Sequence, residues 1–370
     1  MSETSPTAAD FEAIGVYDPS APHAPQELEL LCYLVELGAS LDDLADYRDE
    51  LPGLASVVAI RGGRSLTVSE TAARSGVAAE KLLALSRAAG FAQPGPHDRV
   101  FAEQFADLAA GLAAAEDVFG QDAVLQLVRV MGSAMARLAD AIVSAFLVNV
   151  EPGSSEEDPA RLRVARANAE ASALLPAVGP GLEILLRQHL LAARRSSLGV
   201  AADSGYESRF MCVGFVDLVG STALAQQMTT RELGRVLAQF ERIAFDTVSS
   251  AGGRVVKLIG DEILYMSADP QAACMIALEL TSVFERHPTV PVARAGVASG
   301  EVMMRDGDVF GPIVNLAARA VKLAAPSEVI VPSAMALAAR IASEPLGRQM
   351  LKGFEGEVEL SRLLRVSASR

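Results

Sequence analysis

Residues 210–222 read Phe-Met-Cys-Val-Gly-Phe-Val-Asp-Leu-Val-Gly-Ser-Thr, and the fold of the C-terminal half turns on this stretch. Phe210–Val216 is a short apolar run of strand type. Asp217 stands at its end, and Gly220, Ser221 and Thr222 open a turn into a helix. Backbone N–H groups at such a junction cradle phosphate oxygens. A carboxylate at the end of the strand suits a metal held beside a phosphate.

Working outward toward the C-terminus, strands and helices alternate. Arg231–Ser250 has the apolar spacing of an amphipathic helix. Gly253–Ile259 and Glu262–Ser267 form a hairpin whose turn contains Gly260-Asp261. Helix is expected over Pro270–Glu285, strand over Val292–Ser299 and helix over Pro312–Leu323. A short strand, Glu328–Pro332, precedes the helix Ala334–Ile341, and a hairpin closes the domain over Gly347–Val366. Hairpins cannot belong to an all-parallel sheet, so residues 209–370 read as an α+β domain with a sheet of antiparallel type.

Toward the N-terminus the composition changes at residues 196–208, small and polar with Gly199 and Gly205, which read as a linker. Residues 25–195 read as an all-α domain. Leu28, Leu31, Leu34, Val35 and Leu37 recur at helix spacing, with Gly38 placed to stop that helix. Longer helices are expected over Val100–Phe119, Asp122–Val148, Ala160–Leu175 and Gly181–Ser196. Residues 1–24 are polar, punctuated by Pro19 and Pro22, and are expected to be disordered.

The chain has 370 residues, 51% hydrophobic and 21% charged, enough for two domains with real cores. Against 46 Asp+Glu it carries 32 Lys+Arg, a net charge of −14. That balance argues against non-specific binding to nucleic acid or anionic lipid, which needs a positive surface. An anionic nucleotide remains compatible, because a divalent metal supplies positive charge locally. Cys32, Cys212 and Cys274 form no CxxC, so neither a zinc site nor a disulfide framework is indicated, and reduced thiols in a cytoplasm fit. The first ten residues are not of signal-peptide type. The apolar stretch Ala141–Val150 is expected to be too short for a membrane span, which takes about 20 residues.

A second carboxylate, Asp261, follows Lys257-Leu258-Ile259-Gly260. If the hairpin packs beside the first strand, Asp217 and Asp261 converge on the same ions. Two hard carboxylates favour Mg2+ or Mn2+ with phosphate as co-ligand. Taken singly, each Asp equally reads as the cap of a turn. Glu262 competes for the metal role, but in an extended segment it faces away from Asp261.

The third constellation is Gly307-Asp308-Val309-Phe310-Gly311-Pro312-Ile313-Val314-Asn315-Leu316-Ala317-Ala318-Arg319. Asn315 and Arg319 are four apart on a helix and share one face. Together with the strand bearing Asp217, the Lys257 to Asp261 hairpin and Arg294-Ala295-Gly296-Val297-Ala298-Ser299-Gly300, it completes four blocks in order. The segment from about Arg209 to Val366 closely resembles the catalytic domain of class III nucleotidyl cyclases, with the helical N-terminal regulatory domain of actinobacterial types in front.

The resemblance implies a ferredoxin-like βαββαβ fold and an adenylyl cyclase making cyclic AMP from ATP. It implies two Mg2+ or Mn2+ ions held by Asp217, Asp261 and Leu218, with in-line attack of the ribose 3′-hydroxyl on the α-phosphorus. Gly220, Ser221, Thr222 and Arg294 are implied as phosphate contacts, and Lys352 more distantly. Asn315 resembles the residue that holds the ribose, and Arg319 the one that neutralises charge in the transition state. Lys257 and Asp308 fall at purine-selecting positions. An ammonium donates to adenine N1 and a carboxylate accepts from the 6-amino group, whereas guanine presents the reverse at both places. Leaving such a buried charge unpaired costs about 3–5 kcal/mol, so ATP is expected over GTP. Because one catalytic domain carries both sets of residues, a homodimer with sites at its interface is implied.

The N-terminal half is less informative. Leu66–Gly90 has a helix–turn–helix pattern, but Arg74, Lys81 and Arg87 are few for a DNA contact, and no nucleic-acid partner is expected. The helix around Leu182–Ala193 is placed to act as a switch on the catalytic pair. His189 on it titrates near neutral pH, so a proton is one candidate signal and a small ligand enclosed by apolar helices is another. Two other functions stay open at this point: a catalytically weak nucleotide-binding sensor, and a DNA-binding regulator that uses the cyclase fold to dimerise.

Overall fold

The computed structural model describes residues 6–61, 65–149, 158–196 and 207–365. The chain divides into two compact units, Met1–Ser196 and Ser197–Arg370.

The N-terminal unit is helical. Its elements are α1 (Ala8–Ala13), α2 (Ala24–Glu36), α3 (Leu41–Asp46), α4 (Leu51–Arg61), β1 (Ser65–Leu66), α5 (Val68–Ser75), α6 (Ala79–Ala88), β2 (Phe101–Ala102), α7 (Glu103–Phe119), α8 (Gln121–Asn149), α9 (Leu162–Ser172) and α10 (Leu175–Ser196). Local chemistry explains several starts. Ser40 and Asp43 close a capping box on α3, and Thr67 and Glu70 close one on α5. Two main cores result. Phe11, Leu30, Leu31, Leu34, Leu44 and Leu54 pack with Leu162 and Ala165 of α9. Leu82, Leu85, Ala109, Val124 and Val128 tie α6, α7 and α8 together.

Three features of this unit differ from the sequence reading. Within the stretch 1–24, expected to be disordered, α1 forms instead, because its Phe11 is fully buried in the first core and Ile14, Val16 and Tyr17 pack against that core. α4 escaped notice, its Gly53 and Pro52 masking an apolar helix that buries Leu54 and Ala55. The third concerns membrane spans. Among the described residues, Gln121–Val148 and Leu162–Arg194 are long enough to cross a membrane and each contains an 18-residue window apolar enough to do so, with mean hydropathies of 1.5 and 1.3, which by length and composition alone is weak evidence for a span. α8 keeps Leu127, Met131, Met135, Val143 and Leu147 exposed, and α10 keeps Ile184, Leu185, Leu190 and Leu191 exposed.

The helix–turn–helix pattern is real in geometry, with Gly76 left-handed (φ 70°) at the end of α5. Its cations are engaged elsewhere. Arg74 pairs with Glu103, Lys81 with Glu116 at 2.7 Å, and Arg87 donates to Gln93. Of the expected linker, residues 197–206 lie outside the described residues.

The C-terminal unit is one eight-stranded sheet with helices on both faces. Its elements are β3 (Glu207–Leu218), α11 (Ser221–Ala225), α12 (Thr230–Ser250), β4 (Arg254–Ile259), β5 (Glu262–Ser267), α13 (Pro270–Arg286), β6 (Ala293–Arg305), β7 (Asp308–Phe310), α14 (Pro312–Leu323), β8 (Val329–Pro332), α15 (Ser333–Ala339), β9 (Ser343–Met350) and β10 (Glu357–Leu363). The sheet order is β4-β5-β3-β6-β8-β10-β9, with β7 paired to β6. The run β3-α12-β4-β5-α13-β6 is the βαββαβ unit, with β3 and β6 central.

The sheet is mixed rather than purely antiparallel, because β6 and β8 run parallel. A parallel pair needs a crossover, and α14 supplies it. Alternation along β3 sorts the two cores. Cys212, Val216 and Leu218 face α12 and α13, while Met211, Val213 and Phe215 face α14. Asp217 continues the second series, on the face that α14 covers. That helix lies close because residue 296 is glycine: a Cβ there would come within 2.2 Å of the Val321 nitrogen and 2.6 Å of the Ala317 oxygen.

Candidate active site

β3 runs through Leu218, so Asp217 sits inside the strand rather than just beyond it. Across the sheet it pairs with Glu262 of β5 on one side and Arg294 of β6 on the other. Directly opposed residues share a face, so a row Glu262–Asp217–Arg294 crosses three strands. Asp217 is only 5% exposed. Its Oδ2 accepts from Arg294 Nε at 2.9 Å and Nη2 at 2.7 Å.

The hairpin turn brings in the second carboxylate. Gly260 takes φ 63°, which a two-residue loop demands of its first position, and places Asp261 beside the end of β3. The Leu218 N–H donates to the Asp261 carbonyl at 3.2 Å, and Ser221 Oγ donates to the Asp261 carboxylate. Asp217 and Asp261 thus line one cleft of about 400 Å3, together with Leu218, Gly220, Ser221, Glu262, Arg294 and Lys322. Gly220 is left-handed (φ 76°) and leads directly into α11, which begins with Ser221 and Thr222.

Glu262 departs from expectation. It lines the same cleft as Asp261, because Asp261 belongs to the turn and not to the extended strand. Lys322 was missed altogether. It lies on α14 three residues past Arg319, and its ammonium pairs with Glu262 and stands 3.5 Å from Asp217 Oδ2. Burial works against that charge, but the hydrogen bond to Glu262 and the charges of Glu262 and Asp217 outweigh it and hold Lys322 above the usual lysine value. Its signal in the sequence is the i, i+4, i+7 series Asn315, Arg319, Lys322 on one helical face.

The remaining predicted residues lie outside this cleft. Lys257 of β4 and Asp308 at the start of β7 form an ion pair with each other. Nearby, Arg254 donates to the Gly307 carbonyl at 3.3 Å, and burial pushes its pKa down. Asn315 and Arg319 are exposed on α14. Arg319 Nε donates to the Lys352 carbonyl at 3.3 Å, which brings the Lys352 backbone to α14. The structure therefore assembles two groups in each chain, the carboxylates at one cleft and the Lys257–Asp308 pair elsewhere.

The donor set of the cleft fits a hard divalent cation. Asp217 and Asp261 offer carboxylate oxygen only, which suits Mg2+ or Mn2+ better than softer metals, and Leu218 lines the same cleft. Among the described residues no group of three or more His, Cys, Asp or Glu is arranged to hold a metal ion, so the fit rests on the chemistry of the two aspartates.

The comparisons agree with this architecture. The family model of the adenylate cyclase regulatory domain matches residues 18–193, and that of the adenylate and guanylate cyclase catalytic domain matches residues 206–362. An uncharacterized protein of Mycobacterium bovis is 33% identical over 362 residues, 94% of this chain and 92% of its own length. An adenylate cyclase of Streptomyces coelicolor is 34% identical over 275 residues, 74% of this chain and 71% of its own. A pH-sensitive adenylate cyclase of Mycobacterium tuberculosis is 28% identical over 356 residues, 92% and 88% of the two chains. A helical regulatory domain ahead of a mixed-sheet catalytic domain, matched in both halves and over most of the chain, makes this protein a member of the adenylate cyclase family.

Proposed function

We propose that the chain is a cytoplasmic adenylyl cyclase that converts ATP to 3′,5′-cyclic AMP and pyrophosphate as a homodimer, under control of its N-terminal helices. The observation that carries this reading is the convergence of Asp217 and Asp261 on one cleft beside the Gly220–Ser221 turn.

Asp217, Asp261 and the Leu218 carbonyl would hold two Mg2+ or Mn2+ ions. When bound, these would make the 3′-hydroxyl more acidic and brace the triphosphate. The chain's own groups do the rest. The turn Gly220–Thr222 and Arg294 receive phosphate oxygens, with Lys352 as a further basic contact. The 3′-hydroxyl gives up its proton to solvent, its oxygen bonds to the α-phosphorus, and the bond to pyrophosphate breaks opposite it. Arg319 offsets charge that builds on the phosphorus oxygens, and Asn315 orients the ribose.

Lys257 and Asp308 read the base. Their mutual ion pair supports this role, since it keeps a donor and an acceptor side by side, as the N1 and 6-amino edge of adenine requires. The separation of the carboxylate cleft from Lys257, Asp308, Asn315 and Arg319 within one chain supports a shared site, in which a second copy supplies the missing half. The exposed apolar side chains of α8 and α10 also favour self-association.

The test is a cyclic nucleotide assay of purified protein with Mn2+ or Mg2+ and either ATP or GTP. Cyclic AMP is expected in large excess over cyclic GMP, and equal output refutes the base assignment. Asp217→Ala and Arg319→Ala chains, each inactive alone, should regain activity when mixed, through the one intact site. No recovery refutes the shared site. Removing residues 1–200 and assaying across pH reads the regulatory role of the helices.

A further inference from the structure

Lys322 belongs to none of the roles assigned so far, yet it reaches two acidic side chains of the cleft. Its ammonium pairs with Glu262 and lies 3.5 Å from Asp217 Oδ2, the same oxygen that accepts twice from Arg294. The cleft holds three carboxylates, Asp217, Asp261 and Glu262, against two cations, Arg294 and Lys322. The two cations differ in mobility. Arg294 is pinned by two donated bonds to Asp217 and a third to the Ala324 carbonyl at 3.5 Å, whereas the Lys322 side chain is 51% exposed on a flexible stem.

We infer that Lys322 is a positioning residue that acts as a removable counter-ion, competing with the divalent metal for Asp217 and Glu262 and so setting the metal concentration at which the cleft fills. This rests on the assignment of Asp217 as a metal ligand. An ammonium and a divalent ion that share one carboxylate oxygen exclude each other by charge. The less anchored cation yields first. Removing it leaves the carboxylates intact and less neutralised, so metal binds more tightly. A residue needed only for structure would do the opposite, since its loss disorders the ligands.

The experiment titrates full-length protein with Mn2+ alone and reads free Mn2+ by electron paramagnetic resonance. Lys322→Met is expected to tighten binding about threefold to tenfold, the range for one or two partly exposed ion pairs. Lys322→Arg should stay near the unsubstituted protein. Arg348→Met removes an exposed charge of β9 and should leave the affinity unchanged, since distant charges are screened beyond about 8 Å. Unchanged or weaker binding by Lys322→Met overturns the inference, even while Asp217→Asn abolishes the same binding. If Asp217→Asn and Asp261→Asn bind Mn2+ as the unsubstituted protein does, the assignment of the cleft fails as well, and the two failures are told apart by that control.

Discussion

Asp217 and Arg294 face each other across β3 and β6, and both the Nε and Nη2 of the arginine donate to one oxygen of the nearly buried carboxylate. Such a pair costs more to break than it contributes when whole, because the survivor is left charged away from water. Arg294→Met should therefore destabilise the catalytic unit by about 2–3 kcal/mol, less than a fully buried pair because Lys322 remains 3.5 Å from Asp217. Asp217→Asn combined with Arg294→Met should recover more than half of that loss. Urea unfolding of the two single variants and the double variant gives the coupling energy. Additive losses would show that the pair is not the source.

Gly296 is one of the closest approaches of α14 to the sheet. A Cβ there would meet the backbone of Val321 and Ala317, not a side chain that can move aside. Gly296→Ala is expected to cost about 1–3 kcal/mol by overpacking. It should also lower turnover, because α14 carries Asn315, Arg319 and Lys322 together. The measurement pairs thermal unfolding with the cyclase rate. Undiminished activity in a destabilised variant would separate the seating of α14 from catalysis.

Much of this arrangement was legible in the residues, and the exceptions have physical reasons. Asp217, Gly260-Asp261 and the helix from Pro312 announce themselves through local chemistry: a strand-end carboxylate, a turn glycine and a proline at the first helical position. β7 was equally local and was missed. Asp306 and Gly307 have φ of 57° and 80°, the two-residue hairpin turn that an Asp-Gly dipeptide favours. The cleft's Glu262 and Lys322 are different. Their meeting depends on register between β3 and β5 and on how near α14 lies to β6, which no short stretch encodes. Phe11 likewise lies in a polar stretch, and it finds a place to be buried in the core that the leucines of α2, α3 and α4 build with Leu162 and Ala165 of α9.

The three cysteines should separate cleanly by reactivity. Cys212 of β3 and Cys274 of α13 sit in the same core, and burial pushes both thiols up to about 12. At pH 8 about one in ten thousand of either is thiolate, the reactive form. Cys32 is exposed. Ellman titration of the native protein should give one thiol per chain, rising to three in denaturant, and Cys32→Ser should bring the native value to zero. A second thiol reacting at the same rate in the native protein would mean that this core opens readily.

Acid sensitivity of the N-terminal unit should trace to Asp43. The hydrogen bond from Arg61 lowers its pKa to about 2; burial opposes the shift, and the bonds from Ser40 and the Arg61 charge assist it. The folded value lies below the unfolded one, near 3.8. The carboxylate therefore stabilises the fold fully above about pH 4, and this contribution disappears as pH falls from there through about 2. With Arg61 partly exposed, the contribution is about 1–2 kcal/mol. Asp43→Asn should lower the melting temperature at pH 7 and flatten its dependence between pH 4 and 2, as followed by scanning calorimetry. Arg61→Met should shift the acid loss upward toward pH 4, because the carboxylate then titrates nearer its ordinary value while the Ser40 capping box still holds α3. If both variants keep the parent's acid profile, the loss of stability in acid originates elsewhere in the chain.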